Sequence, residues 1–157
     1  MQEPSIDVAK LVAQIPDADE PRNDSKFTGP TWEAGGKICD AILAGGREAI
    51  LQLIAMLRDP GDQGPGDFKA GYVLHCLALH AGRPGKEDQR RVLAEAMATK
   101  LGGDQPSKAV QGLLIRELRV AGGREAVEAL GKALLDDDLC EDAAQALLSI
   151  RDGAAPY

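Results

Sequence analysis

From residue 31 onward, apolar residues recur at the i, i+3, i+4, i+7 spacing of one buried helix face. Ile50, Leu53, Ile54 and Leu57 are one such set. The pattern predicts helices over 31–44, 47–58, 67–81, 86–101, 107–121, 124–135 and 139–150. Helix breakers separate them: Gly45-Gly46, the loop DPGDQGPG over 59–66, Gly82-Arg83-Pro84-Gly85, Gly102 to Pro106, Gly122-Gly123 and the run Asp136 to Asp138. Thr31, Asp67 and Ser107 stand where an oxygen-bearing side chain can accept the first free N–H groups of a helix. The 67–81 segment is apolar nearly all round, so neighbours are expected on both of its sides. A separate short helix is expected near the start, with Ser5 as cap, Ile6, Val8, Leu11, Val12 and Ile15 as its apolar stripe and Pro16 as its stop. Residues 16–30 are polar, with prolines at 16, 21 and 30, and offer only Phe27 as an apolar anchor. They read as a linker. The chain thus divides into an N-terminal helix with its linker, 1–30, held on by few contacts, and a helical domain, 31–157.

The helical domain repeats itself. Ala44-Gly45-Gly46-Arg47-Glu48-Ala49-Ile50 returns as Ala121-Gly122-Gly123-Arg124-Glu125-Ala126-Val127. Gly85, followed by Lys86 and Glu87, falls midway between the two copies. The unit is a helix pair of about 38 residues, present three times, plus a lone helix at each end. Such a hairpin cannot bury its apolar stripes alone, whereas stacked hairpins close a continuous core. Abundant alanine and glycine let helix axes approach at the short end of the usual ~8–10 Å. Glycine just past a helix end also takes the left-handed conformation at little cost, which permits a sharp reversal.

The segment Asp138 to Asp152 (DLCEDAAQALLSIRD) resembles the first helix of a HEAT-like repeat, and GREAVEAL over 123–130 resembles the second. More narrowly, both are similar to the alanine-rich repeats first noted in phycobilisome lyase proteins. The likeness is good over 106–152 and looser over 31–101, where Gly35-Gly36 and the DPGDQGPG loop depart from the pattern. It implies an all-α fold, a right-handed α-α superhelix. Such repeats serve scaffolds, adaptors, chaperone-like lyases and a few enzymes, so the fold leaves function open. In such stacks the second helix of each pair lines the inner face. That makes Glu48 and Gln52, Arg91 and Glu95, and Glu125, Glu128 and Lys132 the residues nominated for partner contact. Their mixed charge suits a protein or peptide. Residues 151–156 read as a turn toward a further helix, which suggests either a longer repeat protein or an end covered by a partner.

Composition narrows the picture. Aromatics are only 3% of the chain, against the needs of a β-sandwich or barrel. The net charge of −7 disfavours a grip on nucleic acid, including the base-excising HEAT-like proteins, which need a basic inner face. No apolar run approaches the ~18 residues of a membrane span. The start shows no basic and apolar leader, and Cys39, Cys76 and Cys140 form no CxxC pair, which together point to the cytoplasm. A secreted or periplasmic location would follow if a leader had been removed.

Constellations for chemistry are few. His75, Cys76 and His80 share one helix, and Cys76 with His80 has metal-ligand spacing, to which Cys39 could be added. HEAT-like hydroxylases use His-Glu dipeptides, and none occurs here. Asp59, Asp62 and Asp67 lack the alternation and terminal glutamate of a calcium loop. The Gly-Gly pairs follow no strand and precede no GK[ST], so they are not phosphate loops. The sequence therefore predicts a non-catalytic interaction module or scaffold that needs no cofactor. The alternatives are a lyase-type or metal-dependent accessory enzyme acting through His75, Cys76 and His80, or a structural spacer.

Overall fold

Thr31 opens its helix as the spacing predicts, its hydroxyl accepting from the Ala34 N–H at 3.3 Å. Ser107 does the same for Val110 at 3.3 Å. The computed structural model describes residues 6–17, 30–62, 64 and 67–150, and among these the chain is all-helical, without a strand. The helices are α1 (Val8–Ala13), α2 (Trp32–Ala44), α3 (Gly46–Ala55), α4 (Phe68–Ala81), α5 (Glu87–Ala98), α6 (Lys108–Ala121), α7 (Val127–Ala133) and α8 (Cys140–Ile150). A 3-10 turn, Arg124–Ala126, leads into α7. Asp67 caps differently from the expectation: its carboxylate accepts from the Gly64 N–H at 2.8 Å and not from the helix it precedes. The expected Ser5 cap and Phe27 anchor lie outside the described residues. Asp7 caps α1 instead, through the Lys10 N–H.

The packing follows chain order. Within the principal contacts α2, α4, α6 and α8 each touch the next of that set, α3 touches α5, and α5 touches the turn that begins α7. Within the hairpins α2 packs on α3 and α4 on α5, whereas α7 packs on α8 and has no comparable contact with α6. One apolar cluster runs through all eight helices. Its largest members with almost no exposure are Ile42, Ile50, Leu53, Leu74, Leu77, Leu93, Met97, Leu114, Ile115, Leu118 and Leu130. Buried alanines (Ala78, Ala94, Ala96, Ala143 and Ala146) stand where helices meet. Helix α4 is covered on several sides, as its all-round apolar pattern predicts, but Leu79 is 49% exposed. α1 is more firmly seated than the sequence suggested. Val8, Val12 and Ile15 are buried against α2, α3 and α4, and Lys69 holds Asp17 at 2.7 Å.

The two copies of AGGREA fold differently. At the first, Gly46 takes φ +60° and α3 starts at once. At the second, Gly122 and Gly123 are extended, and the 3-10 turn intervenes before α7. The left-handed reversal expected at both therefore occurs only at the first. The second needs glycine for space: a Cβ on Gly122 would lie 2.2 Å from the Leu118 carbonyl and 2.9 Å from Ile150 Cδ1. At the second copy the side chain of Arg90 binds the turn, donating to the Ala121 carbonyl at 3.1 Å and to Glu125 at 2.7 Å. Among the described residues one polar side chain is wholly buried. Gln111 accepts from the Gly102 N–H at 3.0 Å and donates to the Gly103 and Pro106 carbonyls at 2.8 Å each, tying down the loop before α6.

The glycines give a test with opposite signs. Gly122→Ala is expected to cost about 2 kcal/mol through the forced shift of its neighbours. Gly36→Ala, in mid-helix with nothing within 4 Å of the added methyl, is expected to gain about 0.5–1 kcal/mol. Urea unfolding of both variants measures this, and equal effects would contradict the packing described.

Candidate functional site

The second helices of the hairpins, α3, α5 and α7, carry the seven residues nominated from the sequence or stand next to them. The structure brings four of the seven together. Glu95 on α5, Glu125 on the 3-10 turn, and Glu128 and Lys132 on α7 line an open groove of about 310 Å³, with Ala98, Leu101 and Ala129 as its apolar floor. Beside the groove, Arg90 ties the turn that begins α7 to α5 through Ala121 and Glu125. Glu48 and Gln52 are exposed on α3, and Arg91 is exposed one turn before Glu95, and none of these three lines the trough.

The charges in the groove are not equivalent. Glu125 is only 15% exposed and is bound to Arg90, so it is a structural residue as much as a surface one. Glu128 pairs with Lys132 at 2.8 Å in an i,i+4 arrangement, which holds its carboxyl below the usual carboxylate range. Both partners are solvated, so the pair adds little to stability. Glu95 is exposed and has no ion-pair partner among the described residues. It is the one groove carboxylate left open to an incoming cation or N–H donor. Arg47, reaching Thr99 at 3.5 Å, borders the same trough from α3. Arg90, Thr99 and Leu101 were not nominated from the sequence. Arg90 lies on the flank between the buried and solvated faces of α5, and helical periodicity alone does not single out such a position.

A larger cavity of about 510 Å³ lies between the end of α3 and the start of α6. Part of its polar wall is engaged internally. Arg58 donates to the carbonyls of Ala55 and Leu57, and Ser107 donates to Asp59. The smaller groove gathers four of the seven nominated residues and is the better candidate for a partner.

His75, Cys76 and His80 do not converge. His75 Nδ1 turns to Glu117 on α6, 3.0 Å from Oε2. His80 is buried and turns to α2, its Nε2–H donating to Asp40 Oδ1 at 2.8 Å. Cys39 is buried and Cys76 half-buried. Burial pushes the Cys39 thiol up to about 12 and raises that of Cys76, so both hold their protons at neutral pH and are weak nucleophiles and ligands. Among the described residues no group of three or more His, Cys, Asp or Glu could hold a metal ion, and no helix is long and apolar enough to cross a membrane.

The chain matches no protein family model, no curated protein and no solved structure. The likeness to HEAT-like repeats rests on the residues quoted for it.

Asp40 links the groups at this junction, accepting from His80 and from Lys86 at 3.2 Å. The His80 hydrogen bond first, then that of Lys86, lowers its carboxyl. A carboxyl lowered in the folded chain adds stability above its unfolded pKa of about 3.9 and loses it as pH falls through the folded value. The stability gap between the natural chain and Asp40→Asn, read by urea unfolding, is therefore expected in full at pH 5 and should narrow progressively as pH falls below about 4. A gap that widens between pH 5 and pH 3 would contradict the pairing.

Proposed function

We propose that the chain is a non-catalytic HEAT-like repeat module, a short right-handed α-α superhelix that binds a protein or peptide along the face formed by α3, α5 and α7. The repeated AGGREA hexapeptides and the packing of each hairpin on the next support the superhelix. The observation that carries the binding role is the trough between α5 and α7, where Glu95 stands open beside the paired Glu128 and Lys132 over an apolar floor. Apolar ground with a few directed polar groups is what an extended segment needs for affinity and orientation. The open carboxylate favours a segment that offers a lysine, arginine or backbone N–H. The thiols' raised pKa values and the divergence of His75 and His80 weigh against the accessory-enzyme alternative.

Selection of peptides from a displayed random library against the whole chain tests this reading. Enriched peptides are expected to carry a basic residue beside an apolar one. They should bind Glu95→Lys about tenfold more weakly, a loss of about 1.4 kcal/mol, with the melting temperature unchanged. Failure to enrich any peptide, or binding indifferent to Glu95→Lys and to Lys132→Glu, would contradict it.

A further inference from the structure

A second surface lies away from the groove, where α2 begins and α4 ends. Trp32 is 75% exposed, and the Arg83 guanidinium carbon sits 4.2 Å from the centre of its ring. Leu79, one turn before Arg83, is also partly exposed. The carboxylates of this region are engaged elsewhere, Glu33 with Lys37 at 3.1 Å and Asp40 with His80 and Lys86. Arg83 has no carboxylate partner among the described residues. Stacking on an indole satisfies the face of a guanidinium and leaves its N–H edge free for a planar, two-point acceptor. It also restricts the side chain before binding, so less freedom is lost when an acceptor arrives. Tryptophan and arginine are the residue types that most often dominate the energy of protein contacts.

We infer that Trp32, Arg83 and Leu79 form a second docking surface, for a polypeptide segment presenting a single carboxylate beside an aliphatic or aromatic side chain. The carboxylate takes the free edge of Arg83, and the apolar group lies against Trp32 and Leu79. The chain's net charge of −7 sets the limit on the partner's charge. A polyanion is repelled at long range, whereas one carboxylate in direct contact is governed by the local guanidinium, since screening in salt confines the rest to about 8 Å.

The chain's single tryptophan makes the site its own reporter. The probes are a short end-blocked peptide with one glutamate flanked by leucines, its glutamine counterpart and an oligothymidylate. The glutamate peptide is expected to shift Trp32 emission and saturate. Arg83→Gln, or the glutamine peptide, should each weaken binding about tenfold, and combining the two changes should cost little more than either alone. Anisotropy of labelled peptide gives the same constants for Trp32→Ala, which should also bind more weakly. Circular dichroism checks that the variants fold. The inference is overturned by no saturable response, by additive losses in the cycle, by tighter binding of the oligonucleotide than of the glutamate peptide, or by emission that varies with protein concentration alone, the mark of self-association at this patch.

Discussion

A hairpin of two 10–14-residue helices carries more apolar surface than its own two helices can close between them. Leu74, Leu77 and Ala78 on α4 illustrate the constraint: the helix touches α2, α3, α5 and α6, and all three side chains are buried. Each fully buried leucine is worth about 1.5–3 kcal/mol relative to exposure, so no hairpin reaches that state without the next. Sharing of apolar faces between successive hairpins therefore holds the molecule together. Alanine at the meeting points lets the axes come close enough for the leucines to interlock.

Polar links between neighbouring helices fix how the hairpins are placed along one another. Asp40 joins α2 to His80 of α4, His75 joins α4 to Glu117 of α6, and Arg116 and Arg119 join α6 to Asp142 and Gln145 of α8. Across the other row Arg90 joins α5 to Glu125 at the start of α7. The solvated ones among these links add little stability singly. Their use is directional, since a slide of one helix by a turn would break them. The two histidines, which on the sequence suggested a metal site, act here as couplers to opposite neighbours. Arg90 links architecture to the groove: it ties α5 to the turn before α7 and takes Glu125 out of the set of free carboxylates.

The helices themselves were legible in the sequence because their causes are local. Thr31 and Ser107 cap where expected, and the apolar stripes of α3, α5 and α6 are the buried ones. What depended on a distant residue was not legible. The identical AGGREA copies fold differently, and Arg90 binds the second from the neighbouring hairpin, a reach that no periodicity reports. Gln111 occupies a polar slot in an apolar face, and its role shows only when the Gly102–Pro106 loop folds back over it. Of the nominated groove residues, Glu95, Glu128 and Lys132 were found through their outward wheel positions. The same rule nominated Glu125, which faces out of its helix and into the neighbouring arginine, and Glu48, Gln52 and Arg91, which lie on the outer faces but beyond the trough. Trp32 carries no local sign of its exposure, and the guanidinium that stacks on it comes from a residue distant in sequence, Arg83.

Sequential stacking is most directly tested by pairwise distances between spin labels on exposed positions of alternate helices. Labels at Lys37 on α2, Leu79 on α4, Arg119 on α6 and Ser149 on α8 suit this, all four being exposed. The account predicts narrow distributions whose means rise from the α2–α4 pair through α2–α6 to α2–α8. A short α2–α8 distance, as in a bundle closed on itself, would contradict it.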